Sequence, residues 1–344
     1  MDVFSHPQFA DHEMVCFCSD ANSGLKAIIA IHSTSRGPAL GGCRMRPYAS
    51  EDEALTDVLR LSRGMSYKNA MAGLPFGGAK SVIIGDPAVL KTPALLHAFA
   101  RFVDSLGGAY LTAEDSNINT PDVAVIGEVT RHIRNLPLDE GGDPSIVTAW
   151  GVFHAIKAGL RHRGEQTIDG KTVAVEGLGN VGMELCRLLH EAGAGVVASD
   201  IDASKVAEAE ARFGARPAPV GTAHAAQADV YAPCALGGVL NAQSIPEIRA
   251  PIIAGAANNQ LATPQDGVRL QERGILYCPD YVANAGGVLS VVPEGVPYDR
   301  GAALERASGI AETVAAVLEF AEKHQIPTHQ AADRLAEDRI RKAS

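Results

Sequence analysis

The chain has 344 residues, 46% apolar and 20% charged, which is enough for a sizeable core in roughly two domains and incompatible with global disorder. Its 35 glycines and 5% aromatics favour a Gly/Ala/Val-rich α/β enzyme over an aromatic-rich β-sandwich. With 30 basic and 40 acidic residues the net charge is −10, which argues against DNA or an acidic membrane surface as the main partner. A small anion in a local basic pocket stays compatible with that charge.

In chain order, Leu25 to His32 is apolar and β-branched and reads as a strand. Ser50 to Glu53 is a capping box that opens a helix whose apolar face is Ala54, Leu55, Val58, Leu59 and Leu61. Ser81 to Ile84 predicts a short buried strand, Pro93 to Val103 a helix and Ala109 to Thr112 another strand. Thr120 before Pro121 reads as an N-cap. The polar, Gly/Pro-rich stretch from Leu136 to Pro144 is the best candidate linker. After it comes a helix at about Thr148 to His162. Strands then alternate with helices: Lys171–Glu176, Asn180–Ala192, Gly195–Ser199, Ala203–Phe213, Val230–Tyr231 and Ile252–Ala254. That alternation implies a parallel sheet wound by right-handed crossovers. Two helices, with a break at Pro327, close the chain.

Gly177-Leu178-Gly179-Asn180-Val181-Gly182 is a G-x-G-x-x-G placed between a strand and an amphipathic helix. A second strand ends at Asp200, about 20 residues on, which is the context of a dinucleotide fingerprint rather than of a chance glycine turn. Gly177 suits a tight turn, Gly179 a close approach of pyrophosphate, and Gly182 close helix–strand packing. Asp200 would accept from the ribose hydroxyls and repel a 2′-phosphate, favouring NAD over NADP. Lys80 follows a Gly-Gly turn and leads into a buried strand, so it is either a solvated surface charge or a functional group. Lys68 precedes it near a helix end, and Asp115 lies just past a strand end. Two lysines and a carboxylate beside a dinucleotide domain suggest hydride transfer on a small charged substrate. In that scheme one cation holds a carboxylate and the other acts as a base.

At these residues the chain resembles the glutamate/leucine/phenylalanine/valine dehydrogenase family. The resemblance is carried by LPFGGAKSVIIGDP and continues through PALGGCRMRPY, LSRGMSYKNAMAGLP, YLTAEDSNINTPD, PSIVTAWGV, VEGLGNVG, APCALGGVLN, GAANNQL and PDYVANAGGV, almost the whole chain in order. It implies an α/β fold of two domains separated by a cleft that closes during hydride transfer. The substrate-binding and oligomerisation domain would be 1–140 plus 301–344, and a Rossmann-type doubly wound NAD domain would be 141–300. It also implies NAD-dependent oxidative deamination of an L-amino acid by a homo-oligomer. Lys80 would be the catalytic lysine, Asp115 the proton shuttle, and Lys68 the partner of the substrate carboxylate. Gly41 and Gly42 would line the substrate cleft near Met65, and Thr148, Asn259 and Asn284 would contact the nicotinamide end and ribose.

Glutamate-specific members carry Lys before the Gly-Gly pair and Ser seven residues after the Asn of NAGG; this chain has Leu40 and Val291. With Ala113 and Val288 the pocket is expected to be apolar, and burying a glutamate side-chain carboxylate there would cost several kcal/mol. Leucine, valine and isoleucine fit naturally; phenylalanine or tryptophan and a non-catalytic NAD/amino-acid sensor are the rival readings. Ser116 to Asn119 stands where a glycine-containing stretch is usual in the family. No His pair is spaced as a metal site, so no metal is expected. Cys16 and Cys18 form no zinc or disulfide pattern, no basic-then-apolar leader opens the chain, and no apolar run approaches ~20 residues. These features together lead to the expectation of a cytoplasmic protein with reduced thiols.

Overall fold

The computed structural model describes residues 3–134, 143–291 and 298–343. Its contacts divide the chain into two units: Met1–Pro137 with Val291–Pro297 and Ala336–Ser344, and Leu138–Ser290 with Tyr298–Leu335. The expected linker lies outside the described residues except for Asp143 and Pro144.

The first unit runs β1 (Met14–Asp20), β2 (Leu25–Ser33), β3 (Ala39–Arg46), α1 (Glu51–Met71), β4 (Gly77–Ile84), α2 (Pro87–Leu90), α3 (Pro93–Ser105), β5 (Tyr110–Ala113) and α4 (Thr120–Gly127). The sheet order is β1-β2-β4-β3-β5. The β1/β2 and β2/β4 pairs are antiparallel, and β3 runs parallel to both β4 and β5. Helix α1 packs Ala54, Leu55, Val58 and Leu59 on one sheet face against Ile28, Ala30 and Val82. Helix α3 packs Leu95, Leu96, Phe99 and Val103 on the other, against Ile29, Cys43, Met45 and Ile83. With both faces covered, β2 carries a continuous apolar run instead of an alternating one.

Strand β3 escapes sequence reading because Gly41, Gly42 and two arginines dilute the β-branched signature of a strand. The expected capping box holds at Ser50, whose Oγ accepts from Glu53 N at 3.1 Å, but Glu53 returns its carboxylate to Ala49 N at 2.7 Å, one residue earlier than the motif predicts. The N-cap of α4 is Asn119, not Thr120: its side chain accepts from Asp122 N, and Asp122 returns the bond to Asn119 N. Asn does this as well as Thr and sits one place further from Pro121.

The second unit runs α5 (Pro144–His162), β6 (Thr172–Glu176), α6 (Asn180–Glu191), β7 (Gly195–Ser199), α7 (Ala203–Phe213), β8 (Arg216–Pro217), β9 (Val230–Pro233), β10 (Ile252–Ile253), α8 (Pro264–Glu272), β11 (Leu276–Tyr277), α9 (Asp280–Ala283), α10 (Gly286–Leu289), α11 (Arg300–Ser308) and α12 (Ile310–His324). The last helix, α13 (Thr328–Arg341), begins in this unit and ends in the first. All six strands pair in parallel in the order β11-β10-β9-β6-β7-β8. This is the Rossmann arrangement, with the topology reversing between β6 and β9.

Most of the C-terminal tail belongs here and not to the first unit, contrary to the sequence expectation. Gly151 of α5 leaves room for the Ile310 side chain, Trp150 Nε1 donates to Ser308 Oγ at 2.9 Å, and Arg306 donates to the Leu289 carbonyl. Val314, Val317 and Leu318 are fully buried, so the apolar stripe of α12 is core. Only the segment from Ala336 onward joins the first unit, where Arg339 donates to the Ala70 and Met71 carbonyls at the end of α1.

One close approach in the first unit admits no side chain. A Cβ on Gly42 would lie 2.3 Å from the Glu114 carbonyl oxygen and 3.0 Å from Asp115 Cβ. Gly42→Ala is expected to lower stability by about 1–3 kcal/mol through this overpacking, measured as a fall in the urea midpoint. An unchanged midpoint would show that the β3–β5 crossing yields at no cost.

Candidate active site

Alternation along β3 turns Cys43 and Met45 toward α3 and leaves Leu40, Gly42 and Arg44 on the α1 face. On β4, Val82 packs under α1, so Lys80 points to that face too. The register pairs Cys43 with Ser81 and Gly42 with Ala113, which sets Lys80, Gly42 and Ala113 side by side across the sheet. With no side chain at Gly42, Lys80 reaches across to Asp115 beyond the end of β5: Nζ lies 2.6 Å from Oδ2. Lys80 is 7% exposed and paired with Asp115, so it is not a solvated surface charge.

Asp115 has a second cation, because Arg44 Nε donates to the same Oδ2 at 3.1 Å. Burial pushes the Asp115 carboxyl up, but Lys80 and then Arg44 pull more strongly the other way and hold it at about 2. At rest it is therefore an anion near neutral pH. Its stabilising contribution is present above the ordinary aspartate value and is lost only as pH falls through about 2. The turn that follows is tight: Asp115 and Ile118 exchange backbone bonds, Asn117 sits at φ 63°, and its side chain donates to the Met45 carbonyl at 2.9 Å. Asn is one of the few residues that tolerates this conformation in place of glycine. The departure at Ser116–Asn119 is thus a turn stitched to β3.

The other residues expected in the first unit lie on β3, on α1, at the end of β5 and at Val291. Leu40 is fully buried, Gly41 and Gly42 are buried, and Met65 and Ala113 are half-buried. Tyr110 OH donates to the Gly41 carbonyl at 2.9 Å and fixes that strand position. Lys68 is half-buried in the last turn of α1, next to Asn69, whose amide donates to the Gly77 carbonyl at 2.7 Å. Val291 falls in the first unit and Val288 on α10 in the second, both half-buried.

In the second unit the glycine loop joins β6 to α6. Gly177 has φ 97°, Gly179 has open space where a Cβ would be, and a Cβ on Gly182 would lie 1.9 Å from the Gly177 carbonyl oxygen. Gly177 thus makes the turn and Gly182 the close packing, and the N-terminus of α6 carries no side-chain cap among the described residues, with Asn180 exposed and Val181 half-exposed there. Free N–H groups at such a terminus fit a pyrophosphate. Asp200 lies at the end of β7 and accepts from Leu178 N at 2.6 Å and from Asp202 N at 2.8 Å. Asn284 is buried, its amide donating to the Ala256 carbonyl and to Asn258 Oδ1, while its own buried Oδ1 accepts from no group among the described residues. That orphaned acceptor fits an amide donor such as a carboxamide. Thr148 on α5 packs against Gly286 and Gly287, close in sequence to Asn284. Asn259 instead turns at φ 52° and offers its carbonyl to Gly238 N.

Three participants escaped sequence reading: Arg44, Asp57, which takes the other end of Arg44, and Asn258. Recognising β3 as a strand would have exposed the first, since period-2 spacing from Gly42 puts Arg44 on the sheet face that Lys80 shares.

Residues 12–134 match the family model described as Glu/Leu/Phe/Val dehydrogenase, dimerisation domain, and residues 143–210 and 200–344 match that of Glutamate/Leucine/Phenylalanine/Valine dehydrogenase. A leucine dehydrogenase of Geobacillus stearothermophilus is 47% identical over 99% of this chain and 94% of its own length. A valine dehydrogenase of Streptomyces virginiae is 47% identical over 97% of this chain and 95% of its own. The crystal structure of L-tryptophan dehydrogenase from Nostoc punctiforme superposes with a TM-score of 0.87 at 46% identity, covering 97% of each chain. Among the described residues no helix is long and apolar enough to cross a membrane. The chain is an amino-acid dehydrogenase and belongs to the glutamate/leucine/phenylalanine/valine dehydrogenase family.

Proposed function

We propose that the protein catalyses the reversible, NAD-dependent oxidative deamination of an apolar L-amino acid, with leucine, valine or isoleucine preferred, to the 2-oxo acid and ammonia. The observation that carries this reading is the buried Lys80–Asp115 pair beside a fully buried Leu40. A substrate side chain meeting Leu40 and Ala113 finds no charge to pair with, so an aliphatic group gains roughly 0.8 kcal/mol per buried CH₂ and a carboxylate loses several.

Lys68 pairs with the substrate α-carboxylate. Asp115, an anion, accepts a proton from the substrate α-ammonium, so that the nitrogen lone pair assists departure of the Cα hydride. Lys80, having first released its own proton to solvent, takes a proton from the water that attacks the resulting imine carbon. Asp115 returns its proton to the amino nitrogen, the C–N bond breaks with its electron pair leaving on ammonia, and the carbinol hydroxyl gives its proton to that ammonia as the 2-oxo acid forms. Bound NAD⁺ supplies the hydride acceptor. Gly177, Gly179, Asn180, Val181 and Gly182 would hold its pyrophosphate, Asp200 its adenosine ribose, and Thr148, Asn259 and Asn284 its nicotinamide end. No metal takes part in this scheme. An NAD/amino-acid sensor has no need of a buried proton-handling pair, which weighs against that reading.

An aromatic substrate is the second reading, favoured by the likeness to the tryptophan dehydrogenase. The first unit matches a dimerisation-domain model, which supports a homo-oligomer, and six unpaired cysteines agree with a cytoplasmic setting.

A panel of neutral L-amino acids read as NADH absorbance is expected to give the highest kcat/KM with a branched aliphatic substrate; a higher value with tryptophan or phenylalanine would replace the first reading with the second. Lys80→Ala is expected to cut kcat by about 10²–10⁴-fold while NAD affinity, measured by calorimetry, stays near the native value. Near-native turnover would remove Lys80 from the mechanism. Asp200→Ala is expected to weaken NAD by about 10–100-fold and to narrow the preference over NADP. An unchanged NAD/NADP ratio would assign that choice to another residue.

A further inference from the structure

The arginine beside Asp115 has no part in the mechanism above, yet its geometry is specific. Nε of Arg44 donates to Asp115 Oδ2 at 3.1 Å, while Nη1 of the same guanidinium donates to Asp57 Oδ2 at 3.1 Å. Asp57, on α1, is itself buried and held: Tyr48 OH donates to its Oδ2 at 2.9 Å, and Arg60 reaches its Oδ1 at 3.4 Å. One end of the arginine is therefore anchored, and the other is presented to the oxygen that Lys80 also takes. We propose that Arg44 is a positioning residue for the reaction, a fixed cation braced by Asp57 that keeps the Asp115 carboxylate aimed and, before it accepts the substrate's proton, charged, whatever the protonation state of Lys80. This rests on the reading of Lys80 and Asp115 as the proton-handling pair.

The argument turns on the difference between two cations. A buried lysine can lose its proton, and a base that activates water must do so; a guanidinium keeps its charge at any pH the protein survives. With Lys80 as its only counter-ion, Asp115 would become an uncompensated buried anion each time Lys80 was neutral, and would take up a proton to escape. Arg44 removes that coupling.

The groups around Asp115 bear this out. Strand β4 brings Lys80, and β3 brings Arg44 and the Cys43 thiol, which burial pushes up to about 12. Strand β5 brings the Tyr110 phenol, also raised by burial, so both it and the thiol are neutral. Helix α1 contributes Asp57 and Arg60, with Lys68 in its last turn, and α4 contributes Asp122, paired to Lys91 at 2.8 Å.

The test uses the full-length enzyme with Arg44→Met, Arg44→Lys, Asp57→Asn and, in parallel, Asp115→Asn. For Arg44→Met, kcat is expected to fall about tenfold or more with the KM for NAD unchanged. The acidic limb of kcat/KM is expected to move up by about one pH unit or more. Arg44→Lys is expected to recover much of the limb, because it restores the charge, and less of kcat, because one ammonium cannot bridge two carboxylates. Asp57→Asn is expected to shift the limb in the same direction by less. A native pH profile and kcat in folded Arg44→Met would overturn the proposal, leaving Arg44 a strut between β3 and α1. If Arg44→Met does not fold, Asp57→Asn decides, and a native profile there overturns it equally. Native turnover in Asp115→Asn would overturn the underlying reading of the pair. An inactive Asp115→Asn beside an unshifted Arg44→Met would overturn only the role given to Arg44.

Discussion

A single carboxylate oxygen, Oδ2 of Asp115, accepts from a buried lysine and a half-buried arginine, and much of the first unit is arranged so that it can. Burying a carboxylate costs several kcal/mol unless charge and hydrogen bonds answer it. Here the answer comes from two adjacent strands at once, which requires the sheet to carry no side chain where the three groups converge. Gly42 is that gap. The tight turn at Asn117 and the capped start of α4 then fix where the carboxylate arrives.

The second unit offers a different device, backbone donors left open at a strand–helix turn. It consists of a glycine turn too cramped for a Cβ at Gly182 and a helix end whose N–H groups no side chain among the described residues caps. The parallel sheet order places this loop, Asp200 and the Asn258–Asn284 pair at the carboxyl ends of neighbouring strands, where such sheets bind ligands.

What was legible in the sequence follows from how local each signal is. The Rossmann unit could be read because strand, glycine turn, helix and acidic residue lie within one short stretch and each has its own pattern. Lys80 and Asp115 could be picked out as residue types in odd places. Their meeting could not, because it depends on β3 inserting between β4 and β5, a non-local pairing that a glycine- and arginine-bearing strand does not announce. For the same reason Arg44 and Asp57 went unseen. The tail was assigned to the wrong unit because an apolar stripe such as Ile310, Val314 and Val317 states that a helix is covered, not by what; α5 covers it through the notch at Gly151.

The bond from Leu178 N–H to Asp200 joins two tasks usually treated as separate. The carboxylate proposed to discriminate between dinucleotides by their ribose also braces the turn on which, in that proposal, the phosphates would rest. Redesign toward the phosphorylated coenzyme by replacing this acid alone would slacken the cradle while opening it to the new group. A substitution that keeps an acceptor at this point, such as Asn or Ser, together with a cation supplied from a neighbouring strand end, is the route this architecture leaves open.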